Sequence, residues 1–211
     1  RTGDQDIGQQ SQSESKGGEV MAYATLTQVK DYLGITSSVT DDNLLNDLIT
    51  RAEGLIDAYT GRSFEATTAT KHFSYDDTDG QFLPLYGDDL LTVTKLTNAD
   101  GVEIAPADYK LLPRNETPKW LIKLDESQSW NFPDDDSEIS VAGTWGYAAT
   151  APADIEHACV RLVAFIYRQK DTSADIDRPM VTGDGVTIMP SNLPADVTRI
   201  LDRYKRRVVG L

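Results

Sequence analysis

The chain has 211 residues, enough for one ample domain or two small ones, with 39% apolar and 26% charged residues, an ordinary globular balance. A single cysteine excludes an intramolecular disulfide framework and a multi-cysteine zinc or iron–sulfur site. Thirty-four acids against twenty bases give a net charge of −14, which argues against holding nucleic acid by phosphate neutralisation alone.

Residues 1–20 hold four Gln, four Gly and three Ser, and Ile7 and Val20 are their only aliphatic residues. Such a segment buries too little apolar surface to offset its ordering entropy. It reads as a disordered or cloning-derived polar arm, with Met21 as a natural start. No apolar secretion signal is visible, so a reduced, cytoplasmic setting is expected. The longest uninterrupted apolar run, 162–167, is six residues, far short of the roughly 18 needed to span a bilayer.

Two helices are expected next. Leu26, Val29, Tyr32 and Leu33 share one helical face, with Thr25 as N-cap and Gly34 placed for a left-handed C-terminal residue. In 41–60, Leu44, Leu45, Leu48, Ile49, Ala52, Leu55, Ile56 and Tyr59 recur at helical spacing. Thr40 or Asp41 would cap that helix and Gly61 would follow it.

From about residue 65 to 147 the period shortens. Strands are expected at 70–75, 91–97, 109–112, 120–124 and 138–147, with Asp100-Gly101 as a hairpin signal. In 91–97, alternation sets Leu91, Val93, Lys95 and Thr97 on one face and Thr92, Thr94 and Leu96 on the other. Helical spacing returns at Pro152, where Ile155, Ala158, Cys159, Leu162, Val163 and Ile166 form a stripe. Residues 171–193 show no period. A last helix opens at Pro194 with Val197, Ile200, Leu201 and Tyr204 on one face. The fold class is therefore α+β: a small helical bundle, from two N-terminal and two C-terminal helices, carrying a large antiparallel β insertion. The expected division is 21–64 with 148–211 as the helical core and 65–147 as the insertion.

Candidate chemistry is sparse. His157 and Cys159 are two apart on a helix and do not share a face, and His72 sits in a strand pattern without an obvious partner. Neither a nucleophile elbow nor a phosphate-loop motif occurs, Gly183-Asp184-Gly185 reads as a turn, and Asn115-Glu116-Thr117 is a glycosylation match without a secretion signal. The acidic clusters Asp76-Asp77-Asp79, Asp88-Asp89 and Asp134-Asp135-Asp136 could hold Ca²⁺ or Mg²⁺, but the first fails the spacing of a calcium-binding loop. Solvated loops are the plainer reading, and a wall that repels a polyanion is a third. The C-terminus inverts the charge. Residues 197–211 carry five bases against one acid and end in Val208-Val209-Gly210-Leu211. Bases there complement a helix dipole, and a basic strip followed by an apolar one also suits docking on a protein partner.

Several pieces resemble the head–tail connector (adaptor) proteins of tailed bacteriophages. They are the opening Tyr23-Ala24-Thr25-Leu26-Thr27-Gln28-Val29-Lys30-Asp31-Tyr32-Leu33-Gly34-Ile35, then Ala58-Tyr59-Thr60-Gly61-Arg62-Ser63-Phe64, then Val141-Ala142-Gly143-Thr144-Trp145-Gly146-Tyr147. Pro152-Ala153-Asp154-Ile155 and the closing Leu193-Pro194-Ala195-Asp196-Val197 to Tyr204-Lys205-Arg206-Arg207 complete the series, whose order is more specific than any one piece. The resemblance covers most of 21–211. It implies a structural, non-enzymatic virion protein without metal or cofactor, assembled in the host cytoplasm. It further implies a ring of twelve copies at the neck, between the portal protein and the next neck or tail protein, with DNA passing through unbound. By the same resemblance, Arg203, Lys205, Arg206, Arg207, Val208, Val209 and Leu211 form the portal-docking tail. A tail-completion or baseplate protein is the alternative, and a divalent-metal enzyme using the Asp clusters a more distant one.

Overall fold

A computed structural model of the chain describes residues 22–169, 180–181, 187–188 and 193–206. They form an α+β structure with antiparallel sheets. Helix α1 spans Leu26–Leu33 and α2 spans Asp42–Thr60. Thr25 caps α1 in a capping box with Gln28, and Gly34 closes it at φ 73°, so both ends of α1 fall where the sequence placed them. Asp41 precedes α2 without a side-chain capping bond, and Gly61 ends it at φ 68°. Helices α3 (Ala153–Gln169) and α4 (Ala195–Tyr204) each follow a proline. Pro152 and Pro194 lie just outside the helices, where their carbonyls accept from Glu156 N–H and Thr198 N–H, both at 3.0 Å.

The apolar stripes of these helices meet in one cluster. Val29, Leu45, Ala52 and Ile56 pack with Ile155, Cys159, Leu162 and Val163 of α3 and Val197 and Leu201 of α4. Tyr32, Leu44 and Leu55, expected on the inner faces, are instead 40%, 37% and 46% exposed. Eight apolar positions on α2 subtend a wider arc than its packed face can cover, and Leu44 and Leu55 fall at its margin.

Strands β1 (Thr67–Phe73), β3 (Leu90–Thr97), β4 (Glu103–Ile104) and β7 (Ile139–Trp145) form one sheet, ordered β1-β7-β3-β4. A second sheet is ordered β2-β6-β5, from β2 (Phe82–Pro84), β5 (Tyr109–Leu112) and β6 (Leu121–Leu124). A paired bridge between Leu90 and Lys119 joins the sheets. Their inner side chains, including Leu83, Leu90, Leu96, Ile122, Leu124, Ile139 and Val141, form a second apolar cluster. Two-residue strands β8 (Met180–Val181) and β9 (Thr187–Ile188) pair within the segment that showed no period.

Strand β3 departs from simple alternation. Two register shifts against β7 place Leu90 opposite Trp145, Val93 opposite Gly143 and Leu96 opposite Val141. Every third residue of β3 thus meets an inward position of β7, and Leu90 and Leu96 are both buried. The expected grouping of Leu91 with Val93, Lys95 and Thr97 fails because each bulge inserts one residue and reverses the facing. Gly143 accommodates the bulge, since a Cβ there would collide with the Thr92 carbonyl.

Candidate functional site at the junction of helices and sheets

The turn after α2 brings Arg62, Ser63 and Phe64 against the ends of β3 and β7. Tyr147 N–H donates to the Ser63 carbonyl at 2.8 Å, and Gly146 N–H to the Asp89 carbonyl at 2.7 Å. Gly146 takes φ 140°, and a Cβ on it would strike the Glu65 carbonyl, so only glycine fits this crossing. Phe64 is fully buried between the rings of Tyr23, Tyr147 and Tyr204, at centroid distances of 5.8, 5.3 and 5.5 Å.

Asp89 is the polar centre of the junction. Its side chain is only 6% exposed. Arg62 Nη1 donates to both of its oxygens, at 2.6 and 2.8 Å, and Arg206 Nη2 lies 3.0 Å from Oδ2. Arg62 Nε also donates to the Tyr204 carbonyl at 2.8 Å, and its guanidinium lies 5.2 Å from the centre of the Tyr147 ring. Lys71 pairs with Asp88 beside this group and stands over the Trp145 ring at 4.6 Å. Arg62, Lys71, Asp88, Asp89, Trp145 and Arg206 are among the residues that line a cleft of about 310 Å³.

A second network ties the start of the described chain to α2. Glu53 accepts from Tyr23 N–H at 2.8 Å, and Asp57 accepts from the Tyr23 hydroxyl at 2.7 Å. That hydroxyl in turn accepts from Phe64 N–H at 2.8 Å. Burial raises the carboxyl pKa of both Glu53 and Asp57, and burial followed by the Asp57 contact raises that of the Tyr23 phenol.

The remaining candidates scatter. His157 is exposed on α3 while Cys159 is buried, its thiol pushed up to about 12 by burial, which keeps it protonated and inert. His72 Nδ1 lies 3.3 Å from Glu138 on the surface. Asp77 accepts from Ser74, and Asp134 accepts from Ser137, so these acids serve their own turns. Among the described residues no group of His, Cys, Asp and Glu is arranged to hold a metal ion. Asp89 leaves the solvated cluster in which its sequence neighbours placed it, because Arg62 and Arg206 arrive from distant parts of the chain.

Arg203, Lys205 and Arg206 make contacts within the chain itself. Arg203 pairs with Asp154 at 3.1 Å on the surface, and Lys205 Nζ stands 5.1 Å from the centre of the Tyr59 ring. Arg206 pairs with Asp89, and its backbone N–H donates to the Thr60 carbonyl at 2.9 Å. Arg207, Val208, Val209 and Leu211 lie outside the described residues.

A family model described as head completion protein matches residues 22–207. No curated protein matches the chain. Among solved structures, a chain in the neck of an empty gene transfer agent particle, computed with C6 symmetry, is similar with a TM-score of 0.62 at 20% identity. That match covers 91% of this chain and 95% of the other. A chain in the neck of the native particle, computed with C12 symmetry, gives a TM-score of 0.59 at 19% identity over 88% and 90% of the two chains. A chain of the native gene transfer agent virion gives 0.57 at 19% identity over 92% and 96%.

Proposed function

The chain belongs to the head completion protein family, and from that premise we infer that it is a structural head–tail connector subunit at the neck of a tailed particle. The carrying observation is the family match over 22–207, which takes in both the helices and the sheets. The neck location and the ring draw support from the similar chains, which come from necks computed with C6 and C12 symmetry. In this reading twelve copies form a ring by head-to-tail contacts between different faces of the subunit, the kind of contact that closes when the rotation divides a full turn.

The ring joins the portal protein to the next neck or tail protein. DNA passes through its centre without specific binding, which suits a subunit of net charge −14. The task requires no catalytic group, metal or cofactor. Residues 21–64 and 148–211 serve as the helical connector core and 65–147 as the insertion, a division supported by the two separate apolar clusters. Residues 1–20, read from the sequence as a polar arm, lie outside the described residues. The C-terminal strip from Arg203 to Leu211 docks on the portal, with Arg207, Val208, Val209 and Leu211 continuing beyond the bases that pair internally.

The test is truncation after Arg206, which keeps every described internal contact. The shortened protein is expected to keep its melting temperature and to lose co-purification with the portal ring of the same particle. Normal co-purification would refute the docking role. Class averages of neck complexes lacking any contact between this protein and the portal would refute the connector reading itself.

A further inference from the structure

Helix α4 stops at Tyr204, and Lys205 turns to extended backbone at φ −56°, ψ 129°. A segment leaving a final helix ordinarily frays. Here it is fastened. The Arg206 amide is bonded to the Thr60 carbonyl, the Tyr204 carbonyl to Arg62 Nε, and the Arg206 guanidinium to Asp89. Lys205 covers the Tyr59 ring, whose hydroxyl donates to Asp202 at 2.6 Å. These contacts tie the last described residues to two places far away in sequence, the turn after α2 and the start of β3.

Asp89 holds this arrangement together. Two guanidinium groups share its one carboxylate, with Arg62 and Arg206 side chains 19% and 20% exposed. A carboxylate is the one group here that lets two cations sit side by side away from water. Arg62 keeps other partners when Asp89 is neutralised, namely the Tyr204 carbonyl and the Tyr147 ring. Beyond its amide bond to Thr60, Arg206 has Asp89 as its charge partner. Loss of the charge at Asp89 therefore sets like charges against each other and releases the terminal segment first.

We propose that Asp89 is a positioning residue for partner docking: through Arg206 it fixes the place and direction in which the C-terminal strip leaves the body of the subunit. The proposal rests on the reading of that strip as the portal-docking element. A strip held at its root enters a binding site with less freedom left to lose, and so binds more tightly than one that swings from the end of α4.

Asp89→Asn and Arg206→Ala in the full chain test this by hydrogen exchange and by affinity for the portal ring. Exchange at the amide of position 206 is expected to accelerate at least tenfold in both variants, with α3 amides unchanged, and portal affinity to fall at least tenfold. Arg206→Ala keeps the Arg62–Asp89 pair and so reports even if Asp89→Asn fails to fold. Unchanged exchange at position 206 in a folded variant overturns the proposal, because the segment is then held by other means. Accelerated exchange with unchanged portal affinity also overturns it, while leaving tail docking intact. Truncation after Arg206 separates the two ideas. If portal affinity survives removal of 207–211, the docking reading fails and the positioning role falls with it, whatever the exchange data show.

Discussion

Replacing Phe64 with alanine should unfasten the helices at their busiest point. The ring is fully buried and meets three tyrosine rings at 5.3–5.8 Å. A buried Phe→Ala change costs about 3–5 kcal/mol. Each favourable ring pair adds about 0.5–1.5 kcal/mol to simple area burial, which places this site toward the upper end of that range. For a chain of this size about 4 kcal/mol corresponds to a fall in melting temperature of roughly 8–16 °C. The assay has two natural channels. All three tryptophans, Trp120, Trp130 and Trp145, lie within 65–147, so their fluorescence follows the sheets, while circular dichroism at 222 nm follows mainly the helices. Urea unfolding of Phe64→Ala should move the dichroism midpoint strongly toward lower urea. Phe82→Ala, at a ring 37% exposed that meets Lys123, should move either midpoint by less than about 1 kcal/mol. A cost below about 1 kcal/mol for Phe64→Ala would refute the claim that these four rings hold the helical core to the junction.

Gly143→Ala should destabilise by about 2 kcal/mol or more, since the new methyl must displace the Thr92 carbonyl of the bulge. Tryptophan fluorescence in a denaturant titration would measure it, and a neutral result would argue against the bulged register. Glu53→Gln keeps an acceptor for Tyr23 N–H but removes a carboxylate whose pKa is raised by burial. A raised acid means the folded state binds the proton more readily, so the cost of ionisation is absent below the unfolded pKa and complete above the folded one. The variant should therefore gain stability at pH 7 and lose that gain as the pH falls toward 4. A gain that grows with acidity would contradict the assigned sign.

Local signals carried much of the helical core. Thr25, Gly34 and Gly61 mark helix ends by chemistry confined to a single turn, and the stripe of Ile155, Ala158, Cys159, Leu162 and Val163 lies on the buried face as its spacing dictates. Strand β7 alternates cleanly because one of its faces packs against the β cluster throughout. Strand β2 escaped notice because three residues ending in proline offer no period to read. The facing of β3 was illegible for a different reason: a bulge depends on the partner strand, and only Gly143, forty residues or more downstream, hints at it. Asp89 looked like one more acid in a soluble loop. Its burial follows from Arg62 and Arg206, which lie 27 and 117 positions away, and no local pattern encodes that meeting.

The bond between Tyr147 and Ser63 places the departure and the return of some eighty residues within one amide of each other. The stretch between them is nonetheless keyed into the helices, since Phe64, Asp89 and Gly146 all lie inside it. For the protein engineer, a domain spliced between these anchors must carry over Phe64 and Asp89, or the helices lose their ring cluster and Arg62 and Arg206 lose the carboxylate they share.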